Sequence, residues 1–278
     1  MIKVGVKLPT RFEDVGEWLA DARAYEAAGV DALWFSETLI RPLVSERPTY
    51  PPELDPWTLL AAIAAVTTRV RLGTTVSVVA MWPPVLFAIV ANTLDHLSRG
   101  RLIVGAGAGW EPAQFAAIGL GFGDRGRRLD EFLEVVRRCW SGSREPFDGG
   151  FYQLPALRVA AAAREGGPPI FIGAFSEPGF RRAARFGGFI CGGGGPERAD
   201  REFRRVLELR RAAGLEGDFE LWAQVRQPQG REQWRETLEA FEKVGATGVI
   251  VATNERLLDI LRNPDVEEDR SDLRIAAG

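Results

Sequence analysis

The stretch Pro83-Pro84-Val85-Leu86-Phe87-Ala88-Ile89-Val90-Ala91-Asn92-Thr93-Leu94-Asp95-His96-Leu97-Ser98-Arg99-Gly100-Arg101-Leu102-Ile103-Val104-Gly105-Ala106-Gly107-Ala108-Gly109-Trp110 decides the fold. Pro83 to Leu97 reads as a helix with proline in its first turn, where a missing N–H costs nothing. Leu102 to Ala106 then reads as a strand, and three glycines at alternate positions follow it. Working outward, the same alternation repeats. Strands are predicted at Ile2 to Leu8, Ala32 to Phe35, Val70 to Val78, Leu102 to Ala106, Pro169 to Gly173, Gly188 to Cys191, Phe219 to Val225 and Gly248 to Ala252. Helical patterns fall at Asp14 to Ala28, Pro56 to Thr67, Pro83 to Leu97, Arg125 to Trp140, Pro178 to Phe186, Pro196 to Ala213, Arg231 to Val244 and Glu255 to Arg262. Pro56, Pro178 and Pro196 open helices, and Gly29, Gly214 and Gly245 lie just past helix ends. Eight βα units in about 260 residues predict an α/β fold, a (β/α)8 TIM barrel with a parallel sheet, over residues 1–264, followed by a polar tail over 265–278.

The chain has 278 residues, 46% hydrophobic and 26% charged, with a net charge of -3. That is an ordinary globular composition with no basic footprint for nucleic acid and no apolar run long enough for a membrane helix. Met1 to Val6 begins like a strand rather than a signal peptide, and Cys139 and Cys191 are too few for a disulfide framework or a structural zinc site, so a cytoplasmic protein is expected. Lys3, Lys7 and Lys243 are the only lysines, so the other 32 of 35 basic residues are arginine, a bias of GC-rich genomes.

In a barrel, residues just after a strand build the functional face. His96, six residues before a strand, falls on the opposite face, which leaves little room for histidine catalysis or a histidine metal site. Glu37, after the second strand, is the best-placed carboxylate; it reads either as a proton donor or as a structural group paired with an arginine such as Arg41. Gly107-Ala108-Gly109 reads as a tight turn or as a place where a planar ligand meets the backbone. Gly173-Ala174-Phe175 and Gly192-Gly193 open helices after the fifth and sixth strands and form a candidate phosphate cradle. Trp110 and Arg226 are candidate substrate contacts, and Trp82, Phe115 and Phe175 add aromatic surface to that face. Arg125-Gly126-Arg127-Arg128 opens a helix, where cations are slightly unfavourable; surface ion pairs are the plainer reading. Two insertions break the rhythm, Thr38 to Asp55 after the second strand and Ser141 to Gly167 before the fifth. The first belongs to the functional face, and whether the second folds back over it is left open.

Asp55 to Val76, Asn92 to Leu102, Gly105 to Trp110, Asp124 to Glu131, Pro169 to Gly173 and Arg182 to Arg185 resemble the luciferase-like monooxygenase family, most closely its branch using the deazaflavin F420, common in actinobacteria. The resemblance implies a bacterial luciferase-like barrel, often a homodimer, that transfers a hydride between reduced F420 and a small organic substrate. It also implies a cis peptide at Thr75-Val76 beneath the cofactor ring, and glycines at Gly107, Gly109 and Gly173 approaching ring or phosphate. An FMN-dependent monooxygenase is the alternative, and a barrel that has lost catalysis is a third. This chain departs from the family pattern at Thr38, where many members have histidine, at Trp110, where some have glutamate, and at Ala174, where glycine is usual.

Overall fold

Apolar runs predicted as strands become β1 (Lys3–Lys7), β2 (Ala32–Phe35), β3 (Arg71–Thr74), β4 (Leu102–Ala106), β7 (Ile170–Gly173), β8 (Gly188–Cys191), β9 (Glu220–Val225) and β10 (Gly248–Ala252) in a computed structural model that describes residues 1–10, 14–38, 54–157, 159 and 164–262. Two short strands, β5 (Phe147–Asp148) and β6 (Gln153–Leu154), stand apart from them as a separate pair. Each of the eight longer strands pairs in parallel with its neighbours, and β1 closes on β10, giving an eight-stranded parallel barrel. The (β/α)8 prediction therefore holds. The helices are α1 (Val15–Ala27), α2 (Pro56–Val66), α3 (Pro84–Leu97), α4 (Pro112–Ala117), α5 (Arg125–Trp140), α6 (Glu177–Ala183), α7 (Pro196–Ala212), α8 (Arg231–Lys243) and α9 (Leu257–Arg262).

Local chemistry fixes their ends. The Asp55 carboxylate accepts the Thr58 N–H at 2.7 Å, and Pro56 follows in the first turn. Gly29, Gly214 and Gly245 take φ of +82°, +64° and +86° just past α1, α7 and α8, the left-handed stop that glycine adopts without steric cost. Arg101 clamps two helix ends, donating to the carbonyls of Ala64 and Thr67 at the end of α2 and of Ser98 at the end of α3.

Two apolar layers form the core. The outer one lies between sheet and helices; the inner one fills the barrel with Ala32, Trp34, Ile103, Phe171, Ile190, Trp222 and Ile250. Trp34 and Trp222 meet edge to face at 5.2 Å, and they fit because Gly5, Gly73 and Gly248 leave their space free. A Cβ on Gly73 or Gly248 would stand 2.6 Å from an indole carbon. At the N-terminal end Glu220 accepts from Lys3 and Arg71, each at 2.8 Å, closing the barrel floor with ion pairs. His96 is exposed in the last turn of α3, as expected from its position.

Three local expectations change. The predicted strand over Val70 to Val78 ends at Thr74; the Thr75-Val76 peptide is cis, and Ser77 rejoins the sheet only through a bridge to Ala106. Pro83 caps α3 from outside rather than starting it. The segment before the fifth barrel strand carries the β5–β6 hairpin, which docks on α5: the Glu131 carboxylate accepts N–H groups of Gly150, Phe151 and Tyr152 at 2.9, 2.8 and 3.3 Å. The hairpin braces a helix, and none of its residues lines the cleft at the C-terminal ends of the strands. Most of the insertion after β2 (39–53), Arg41 and the tail from 263 lie outside the described residues.

Candidate active site

A cleft of about 450 Å³ opens at the C-terminal ends of the strands, within the size range of small-molecule sites. Its floor is Val76, whose isopropyl group lies between two glycines. A Cβ on Gly107 would stand 2.6 Å from Val76 Cγ2, and one on Gly173 would stand 2.8 Å from Val76 Cγ1. With hydrogen at both places the floor is apolar and the backbone of β4 and β7 is bare on either side. Gln224 Nε2 donates to Thr75 Oγ1 at 3.0 Å, which puts a fixed amide beside that floor. Gly109 turns at φ +81° over Val78 and Phe115, so Phe115 supports the turn from beneath as a buried side chain.

Glu37 is only 6% exposed, yet it borders the cleft. The Val78 N–H donates to its Oε2 at 2.6 Å and the Trp82 indole N–H to its Oε1 at 3.0 Å. Burial pushes its carboxyl up to about 7, against the pull of those two donors, and the nearby Asp55 adds to the rise. Trp57, which donates to Ser77 Oγ at 3.1 Å, packs with Phe87 and Trp82 edge to face, so α2 and α3 hold this corner rigid.

The opposite wall carries the cations. Arg125, read from sequence as a surface charge, borders the cleft instead. Its guanidinium stacks 3.8 Å above Phe122 and donates to the carbonyls of Gly109 and Phe122 at 3.1 and 3.0 Å. Among the described residues no carboxylate pairs with it. Arg182 also borders the cleft, but Asp130 grips it through two bonds of 2.7 and 2.9 Å and the Gly126 carbonyl takes a third. Trp110 and Phe175 flank the mouth at 67% and 64% exposure. The Phe175 ring lies against Gly192 so closely that only hydrogen fits there, and the Arg198 guanidinium sits 5.2 Å from the ring centre.

The fold thus gathers Glu37, Thr75, Val76, Gly107, Ala108, Gly109, Trp110, Gly173, Ala174, Phe175 and Gly192 around one cleft. Gly193 and Arg226 fall outside its lining; Arg226 is exposed beyond the end of β9, and the side chain that strand supplies is Gln224. Sequence reasoning missed Arg125, Arg182, Ser176, Gly179 and Gln224. The one available signal was the unfavourable placement of Arg125 in a first helical turn. Among the described residues no cluster of His, Cys, Asp or Glu could hold a metal ion.

A sequence model described as luciferase-like monooxygenase matches residues 2–261. An uncharacterized protein of Mycobacterium tuberculosis is 34% identical over 214 residues, covering 72% of this chain and 73% of its own. An F420-dependent secondary alcohol dehydrogenase, solved with an F420-acetone adduct, superposes with a TM-score of 0.78 at 14% identity, over 94% of this chain and 96% of that one. The oxygenating constituent of 3,6-diketocamphane monooxygenase from Pseudomonas putida, solved with FMN, gives 0.66 at 18% identity, over 87% of this chain and 74% of that one. Both structures show the shared fold.

Proposed function

The chain belongs to the luciferase-like monooxygenase family, a family of oxidoreductases, and from that premise we propose that it binds the deazaflavin F420 in the cleft and exchanges a hydride between the reduced cofactor and a small organic substrate. The observation that carries this reading is the floor: Val76 set between Gly107 and Gly173, with the Gln224 amide at its edge, suits a planar ring that is apolar on its face and polar along its rim. Added Cβ atoms at either glycine would fill that space.

The cofactor, once bound, supplies the hydride chemistry; the protein supplies position, dryness and charge. Val76, Gly107 and Gly173 set the plane of the ring. Arg125, immobilised by Phe122 and Gly109 and unpaired among the described residues, would hold an anionic group of the cofactor. Glu37 would give a proton to a substrate that needs one, because its carboxyl is neutral below pH 7. Trp110 and Phe175 would cover the apolar part of a substrate. The superposition on the F420 dehydrogenase, along nearly the whole of both chains, supports the F420 reading at the level of the fold. The FMN-bound neighbour supports the second reading, a monooxygenase that activates oxygen on reduced flavin.

Titration with F420 and with FMN, followed by the shift in melting temperature, separates these readings. A ligand at 100 times its Kd stabilises by about 2.7 kcal/mol. F420 is expected to bind selectively, and Arg125→Gln to weaken it by roughly 10- to 100-fold, the worth of a charge-assisted hydrogen bond. Tight FMN binding would promote the monooxygenase, and binding of neither would leave a barrel without its cofactor.

A further inference from the structure

Inside the barrel, side chains from alternate strands share layers, and charge is placed unevenly among those layers. Residues 3, 5 and 7 of β1 face inward: Lys3 bonds Glu220, and a Cβ on Gly5 would meet the indoles of Trp34 and Trp222. The lowest layer holds Lys3, Arg71 and Glu220, which pair with one another. Two residues further along each strand, Gly5, Gly73, Phe171 and Trp222 form an apolar layer. Two further still come Lys7, Thr75, Gly173 and Gln224. Lys3 and Lys7 thus share one face of one strand. Lys3 has Glu220 at 2.8 Å, whereas Lys7 has neither a carboxylate nor any other acceptor for its ammonium among the described residues. Trp34, Trp222 and Ile250 are buried and fill the barrel beneath it, so the part of half-buried Lys7 that solvent reaches is at the C-terminal mouth.

The same layer divides the mouth. β3 and β9 stand opposite each other in the barrel, and the 3.0 Å hydrogen bond from Gln224 Nε2 to Thr75 Oγ1 spans its axis. On one side lie β4, β7 and β8, which carry Gly107, Gly173 and Gly192 around the Val76 floor. On the other lie β10, β1 and β2, with Lys7 in register with Ala252 and Trp34.

We propose that Lys7 determines specificity by pairing with the carboxylate of an organic acid substrate, seated in its half of the mouth. This rests on the cofactor reading, which fills the glycine half with the ring and leaves the Lys7 half to the molecule that exchanges the hydride. A half-buried ammonium without a partner has lost hydration that an anion restores, so a carboxylate gains more there than at an exposed lysine. One unit charge also balances one, while a phosphate group, with nearly two, would leave excess negative charge against the barrel interior. Glu37 follows β2, the strand beside β1, so the proton donor and the carboxylate holder flank the same substrate. Arg226, exposed just past β9 and without a carboxylate partner among the described residues, adds positive potential along the approach.

Benzoate and benzamide, alike in shape and different in charge, test this by calorimetric titration into the full chain. Wild type is expected to bind benzoate roughly 10- to 100-fold more tightly than benzamide, the range of one charge-assisted hydrogen bond. Lys7→Met, which keeps an unbranched apolar stem, should erase that preference with unchanged circular dichroism, and should keep F420 affinity within about threefold of wild type. A preference that persists in Lys7→Met would overturn the proposal. So would a wild type that binds benzoate no better than benzamide, a comparison that needs no variant. Phenyl phosphate binding more tightly than benzoate would overturn the choice of a carboxylate. An F420 loss in Lys7→Met as large as that in Arg125→Gln would also overturn it, by assigning Lys7 to the cofactor. A chain that shows the benzoate preference and its loss, yet binds no F420, would keep the acid site and discard the cofactor reading.

Discussion

Glu37→Gln should lower turnover of a substrate that requires protonation by roughly 10²- to 10⁴-fold, the usual worth of a positioned general acid, while leaving cofactor affinity nearly unchanged. The substitution keeps shape and volume. The amide oxygen it introduces can still accept from Val78 or from Trp82, and leaving the other donor unsatisfied costs about 1–3 kcal/mol, less than a domain's total stability, so the corner stays folded. The wild-type rate should fall as pH rises through about 7, where the buried carboxyl loses its proton, and the variant should lack that fall. Stability gives a second reading with the same sign. The folded carboxyl titrates near 7 and the unfolded one near 4.5, so its contribution is complete below pH 4.5 and is lost as pH rises to 7. The loss is about 3 kcal/mol at most. Urea unfolding at pH 5 and pH 8 should therefore diverge more for wild type than for Glu37→Gln. Full turnover with an unaltered pH profile in the variant would reduce Glu37 to a tie between β2 and the segment before α3.

Much of this architecture is legible in the sequence because barrel strands, buried on both faces, read as short apolar runs, and because proline and glycine mark the helix ends independently. The same signals lose force where a side chain acts through the third dimension. Arg125 and Arg127 are nearly alike in sequence, yet Arg127 pairs with Asp124 at the surface while Arg125 stacks on Phe122 and turns to the cleft. Each has a partner three residues away, and what the sequence does not show is the Gly109 carbonyl, 16 residues earlier in the chain, that turns Arg125 to the cleft. Gln224 and Arg226 both follow from one strand, and only the end of β9 at Val225 decides which of them reaches the site. The hairpin over residues 147–154 escaped prediction because its strands are two residues each and pair only with one another, and because the Glu131 carboxylate that ties down their connection lies 19 residues before Gly150.

Gly105→Ala, inside β4, should cost more stability than the same change at the glycines that line the cleft, and it separates the glycines that build the barrel from those that serve the ligand. The alternating glycines at 105, 107 and 109 look equivalent in sequence. In the fold they are not. Thr74 Oγ1 donates to the Gly105 carbonyl at 2.7 Å and accepts the Gly105 N–H at 3.1 Å, while the Ser77 N–H donates to the same carbonyl at 2.8 Å. A Cβ on Gly105 would overlap the Thr74 carbonyl itself, backbone against backbone, so β3 and β4 would have to part and all three bonds would stretch. A loss of about 4 kcal/mol or more is expected, a large share of the ~5–15 kcal/mol that holds a domain together. Gly107→Ala meets only the movable Val76 side chain at 2.6 Å. It should keep most of its stability, with Val76 displaced into the cleft and cofactor affinity reduced. Urea midpoints and cofactor titrations on the two variants check both halves. A Gly105→Ala protein within about 1 kcal/mol of wild type, or a Gly107→Ala protein that unfolds while binding normally, would show that the two glycines had been assigned the wrong way round.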